Sequence, residues 1–90
     1  MVVMVMENAP EGLRGELTRW MLETKAGVFV GTVSATVRDR LWDKVTTQSI
    51  EGGAIMIYSS DTEQGFRLEM HGSPRRQIID IEGVYLIKTL

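Results

Sequence analysis

Ninety residues with 12 acidic and 10 basic side chains give a net charge of −2, so no bulk positive field draws the chain to nucleic acid and any polyanion site must be local. A single domain of this length buries only about 60–65% of its unfolded surface, which favours association with a second copy. The absence of cysteine excludes a disulfide framework, a thiolate metal site and a thiol nucleophile.

The chain opens on six apolar residues, Met1 to Met6, and stops at Glu7-Asn8-Ala9-Pro10. Such a run reads as a strand buried on both faces. It lacks the basic flank and length of a signal peptide, and no later stretch is long enough to span a bilayer, so a soluble, cytoplasmic protein is expected. The acid and amide at its end either bind a metal or cap the next helix.

That helix is predicted from about Pro10 to Thr24, with proline at its first position and Asn8 or Ala9 as cap. Leu13, Leu17, Trp20 and Met21 recur at helical spacing as one apolar stripe. Gly12 and Gly15 weaken the helix by up to about 1 kcal/mol each relative to alanine. Their presence implies either a close approach by backbone or phosphate, or packing against a strand.

Val28 to Val30 reads as a short strand, and Ser34 caps a second helix whose inward stripe is Val37, Leu41 and Val45, with Trp42 beside it. Both tryptophans read as core. Thr36, Arg38, Arg40 and Lys44 fall on the outer face. Gly52-Gly53 then opens a strand, Ala54 to Tyr58, and a polar hairpin loop from Ser59 to Gly65 leads into Phe66 to His71. There Phe66, Leu68 and Met70 point inward and Arg67, Glu69 and His71 outward, the pattern of a strand near a sheet edge with one wet face.

Gly72 to Gln77 reads as an exposed loop presenting the Arg75-Arg76 pair behind Pro74, a good form for a phosphate clamp. Ile78 to Leu90 reads as two short strands about a turn at Asp80 to Gly83, giving a core domain over 1–77 and a β extension over 78–90. The predicted order is β-α-β-α-β-β with this extension, an α+β sandwich of ferredoxin-like type with helices on one face of a mostly antiparallel sheet. His71 has no second histidine or cysteine to make a transition-metal motif. Ser34 and Ser73 have no histidine–aspartate arrangement around them, and neither glycine cluster matches a phosphate loop.

Glu7-Asn8-x-Pro10, Leu13-Arg14-Gly15, Trp20, Ala26 to Gly31, Val33-Ser34-Ala35, Arg38 and Trp42 occur in an order that resembles the small CRISPR-associated protein Cas-two, in the Cascade-linked subtype I-E branch. Asp61-Thr62-Glu63-x-Gly65-Phe66, Gly72, Arg75-Arg76, Asp80 and Glu82-Gly83 resemble its second half. The resemblance implies a ferredoxin-like homodimer that bridges two dimers of the integrase Cas-one during spacer acquisition. It would hold the middle of a double-stranded DNA fragment by its phosphates, without reading bases.

By the same resemblance Arg14, Arg75 and Arg76 match backbone-contacting positions, and the tail from Ile78 docks the integrase. Gly12 and Thr36 stand where close relatives carry basic side chains, and Arg38 and Arg40 are candidate replacements. A second function class attached to this family is magnesium-dependent endonuclease cleavage of RNA or DNA. Glu7 would then be the catalytic ligand, aided by Asn8, and one carboxylate from each protomer would hold the Mg2+. Asp61 and Glu63 are candidate accessory ligands.

Overall fold

In the computed structural model, residues 1–48 and 52–72 are described in full, and 76–81 and 84–89 as backbone strands. The elements run β1 (Val2–Met6), α1 (Glu11–Thr18), β2 (Leu22–Lys25), β3 (Val28–Gly31), α2 (Ala35–Thr46), β4 (Ala54–Ser59), β5 (Phe66–His71), β6 (Arg76–Ile81) and β7 (Val84–Thr89). Five strands form one sheet in the order β2-β3-β1-β4-β5, and every ladder is antiparallel. Two helices on one face of a sheet with this order make the α+β, ferredoxin-like architecture expected from the sequence.

Register in the central strand sets the core. Met4 stands opposite Phe29 on one side and Met56 on the other, and all three are fully buried. With Val2, Met6 and Ala54 they form the sheet's contribution to the core. Leu13 and Leu17 from α1 and Leu41 and Val45 from α2 close over them. Ser34 caps α2 as expected, its Oγ accepting from the Val37 N–H at 3.2 Å. Trp42 is half-buried against this core, and Val37 lies beside it.

Five expectations are corrected. The first helix ends at Thr18, not Thr24, and Leu22 to Lys25 pairs with β3 as an extra strand. The Trp20 and Met21 N–H groups both donate to the Leu17 carbonyl, which winds up the last turn and releases the chain to the sheet. Helical periodicity therefore misplaces Trp20, which is 52% exposed while Met21 is buried. Gly31 makes the turn possible, because a Cβ there would stand 3.0 Å from Met21 Cγ and 3.2 Å from the Trp20 carbonyl oxygen.

The second correction concerns the cap of α1. Pro10 occupies the N-cap position with no side-chain capping bond, so neither Asn8 nor Ala9 serves. Around Gly12 and Gly15 a Cβ would meet nothing within 4 Å, so neither glycine is required for packing within this chain.

Third, β1 is not buried on both faces. Val2, Met4 and Met6 are buried, whereas Val3 is half-buried and Val5 is 36% exposed. The helices cover one face of the sheet, and the opposite face carries Val3, Val5, Val28, Val30, Ile55 and Ile57. Fourth, the alternation of β5 is as predicted, with Leu68 buried and Arg67 and Glu69 exposed, but its apolar row lies on the face of the sheet away from the helices. Glu69 lies opposite Met56, so Arg67, Glu69 and His71 share the helix side, and Phe66, Leu68 and Met70 extend the apolar face opposite.

The tail forms a separate two-stranded sheet, with Arg76 opposite Thr89 and Ile81 opposite Val84. Arg76 thus begins a strand, whereas the sequence placed it in a loop. Among the described residues no helix is long and apolar enough to cross a membrane.

Gly31→Ala is expected to destabilise the fold by about 1–3 kcal/mol, the usual effect of overpacking, whereas Gly15→Ala should stabilise it by up to about 1 kcal/mol through helix propensity. Urea unfolding of the two variants beside the parent chain measures both.

Candidate nucleic-acid interface

Where β1 ends, the chain must leave the sheet, turn and enter α1. Asn8 makes this turn in the left-handed region at φ +55°, a conformation asparagine tolerates better than most side chains. Met6, Glu7, Asn8 and Ala9 thereby form one wall of a cavity of about 480 Å3, and Arg14, Ala26 and Gly27 form the other. The β2–β3 turn is held against β1 by the Met6 N–H donating to the Gly27 carbonyl at 2.9 Å. Gly27 has φ +80°, and a Cβ there would collide with the Met6 carbonyl.

Arg14 projects from the first turns of α1 and donates from Nη2 to Glu23 Oε1 at 3.0 Å. The other oxygen of Glu23 accepts from the Gly27 N–H, also at 3.0 Å. One carboxylate therefore ties helix α1 to the β2–β3 turn. The Gly27 N–H and then the Arg14 guanidinium hold the Glu23 carboxyl below its ordinary pKa. Arg14 keeps 49% of its side chain exposed. It is a fixed, accessible cation at the rim of the cavity.

Glu7 is exposed and lies beside the entry to β4, where a Cβ at Gly52 would stand 2.6 Å from Glu7 Oε2. The cavity offers a cation one carboxylate, one amide and the competing charge of Arg14. Among the described residues no three histidine, cysteine, aspartate or glutamate side chains come together. Asp61 and Glu63 lie at the other end of the sheet, since the Ser59 N–H reaches the Met1 carbonyl at 3.2 Å. At about 3.3 Å per residue, β1 separates them from Glu7 by roughly 20 Å. Within one chain these residues do not fit a magnesium site.

The remaining candidates divide. Arg38 lies 4.0 Å above the Tyr58 ring centroid and donates from Nε to Asp39 at 2.9 Å. Arg40 is exposed and has no ion pair among the described residues. Arg75 lies outside the described residues, and Arg76 is placed only by its backbone in β6. Arg14 and Glu7 share a cavity, while Arg38 belongs to another near the β4–β5 hairpin.

The two helices are also joined by charge. Glu16 accepts from Lys44 Nζ at 2.8 Å, with Arg19 at 3.8 Å, and the Lys44 ammonium holds the Glu16 carboxyl below its ordinary pKa. Sequence reasoning missed Glu23 because a helix running to Thr24 points it away from Arg14; the signal was the Lys25-Ala26-Gly27 turn followed by a β-branched run.

Residues 1–86 match the family described as CRISPR-associated protein (Cas_Cas2CT1978). The chain belongs to this Cas2 family. A CRISPR-associated role follows from that membership, and the match covers both cavities and most of the tail.

Glu23 and Glu16 have folded-state pKa values below 4.5. Their stabilising bonds are complete above the unfolded-state value and are lost as pH falls through the folded-state values. Glu23→Gln is therefore expected to flatten the loss of stability below about pH 4.5, the ordinary glutamate value, as measured by thermal unfolding between pH 7 and pH 2.5.

Proposed function

We propose that the protein acts in CRISPR adaptation, in the Cascade-linked subtype I-E branch, as a homodimer that holds the duplex midsection of a captured DNA fragment between two dimers of the Cas-one integrase. The observation that carries this reading is Arg14, a guanidinium fixed by Glu23 yet half exposed at the rim of an open cavity. A cation held in place by a carboxylate, with donors left over, suits a sugar–phosphate backbone and reads no base. Arg75 and Arg76 supply further phosphate contacts, and Arg40, exposed on α2 and without an ion pair among the described residues, is a further cation.

The dimer is supported by the apolar face opposite the helices. Leu22 is 68% exposed there and Val5 36%. Ile55 and Leu68 on this face are buried already, but the exposed part around Val5 and Leu22 needs a covering layer, and a second copy offers the same surface in return. The tail from Ile78 docks the integrase, and work on chromosomal DNA places the protein in the cytoplasm. Catalysis of strand joining belongs to the partner.

In the alternative reading, magnesium-dependent cleavage, Glu7 would need a carboxylate from a second copy. It gains no support from the single chain.

Arg14→Ala should weaken duplex binding by the assembled complex and lower the slope of log affinity against log salt by about one unit. An unchanged slope removes Arg14 from the interface. Glu7→Gln should leave spacer acquisition intact; lost acquisition with assembly preserved would favour the nuclease reading. Val5→Asp should shift the particle toward monomer in sedimentation velocity, because it places a charge in the centre of the covered face.

A further inference from the structure

A second cavity, of about 410 Å3, lies where the first turns of α2 meet the β4–β5 hairpin. Its lining is Arg38, Tyr58, Ser59, Ser60, Asp61 and Arg67. Arg67 and Tyr58 are direct partners across the β4–β5 ladder, so both stand on the helix side of the sheet. Arg38 covers the Tyr58 ring from α2. The register thus brings two guanidinium groups, 29 residues apart in the chain, to one cleft.

Both are anchored by Nε. Arg38 Nε donates to Asp39 at 2.9 Å, and Arg67 Nε donates to Ser60 Oγ at 3.2 Å. Among the described residues the terminal nitrogens of both groups make no ion pair. Because Ser60 Oγ accepts from Arg67, its own hydrogen is available to a ligand. The loop carrying Ser60 is held by the Ser60 N–H donating to the Gly65 carbonyl at 3.0 Å and the Gly65 N–H to the Thr62 carbonyl at 2.9 Å. Arg38 is only 20% exposed, held by Asp39 at its Nε edge and by the Tyr58 ring below it, which fixes its remaining nitrogens in place.

Paired planar forks beside serine hydroxyls match the oxygens of a phosphate group. Asp61, also in the lining, pairs with neither arginine. It opposes an anion and would favour a cation. We propose that this cleft is a second phosphate-binding site, formed by Arg38, Arg67 and Ser60, which takes a backbone phosphodiester at the end of the sheet remote from Arg14. The identity of the occupant rests on the nucleic-acid reading above. The chemistry of the cleft does not.

The test is an NMR titration of the isotope-labelled full chain with inorganic phosphate, and separately with a short DNA duplex over a range of salt. Phosphate should move the amide signals of Ser59 and Ser60 and the Arg67 Nε–H. Arg67→Gln should abolish that response and lower the duplex salt slope by about one unit. Asp61→Asn should tighten phosphate binding about two- to fivefold, as expected for loss of one exposed opposing charge. No response to phosphate, or weaker phosphate binding in Asp61→Asn, overturns the proposal even if the duplex binds at Arg14. A phosphate response that Arg67→Gln abolishes, without duplex binding at any salt, upholds the cleft and overturns the nucleic-acid reading. Duplex binding whose salt slope is the same in Arg67→Gln as in the parent overturns the backbone as occupant.

Discussion

The pairing of Met4 with Phe29 and Met56 is the constraint on which the rest of the structure depends. A strand alternates sides at every residue, so fixing one partner pair in the centre of the sheet assigns every neighbouring side chain to a face. With Met4 toward the helices, Val3 and Val5 must face away. Through Met56 the same register sends Glu69 and Arg67 of the edge strand to the helix side, and Phe66, Leu68 and Met70 to the other. A shift of β1 by one residue would send Met4 to the open face and Val3 and Val5 to the core.

Two consequences bear on function. One face of the sheet is closed by α1 and α2 and the other is left apolar, which is the physical case for a second copy. On the helix side, charged groups gather at the two ends of the sheet. Arg14, Glu23, Glu7 and Asn8 meet where β1 ends, and Arg38 and Arg67 meet where it begins. Net charge across the chain is slightly negative, yet each end presents anchored guanidinium groups. Local placement replaces bulk charge.

Glu23 shows how this placement is achieved. A flexible arginine on a short helix loses entropy on binding an anion; one already bonded to a carboxylate that is bonded to a backbone N–H has less to lose. The same economy recurs at Arg67, where Ser60 rather than an acid provides the anchor. In both cases only one edge of the guanidinium is occupied among the described residues.

Residue type and periodicity were enough to determine the strand at the N-terminus, the Ser34-capped helix with Leu41 and Val45 inward, the Ala54 strand, the alternation of β5, and the ferredoxin-like class. The order of short motifs also carried the CRISPR-associated family. These are local signals, set by side-chain spacing and capping chemistry. Tertiary structure decided where α1 stops, because Leu22 to Lys25 gains ladder hydrogen bonds from β3 that helical spacing cannot anticipate. It likewise decided that Trp20 is exposed, that the apolar row of β5 faces away from the helices, and that Glu23 reaches Arg14 while Arg67 reaches the cleft of Arg38. Each of these depends on which strands become neighbours, and strand order is a property of the whole sheet rather than of any segment within it.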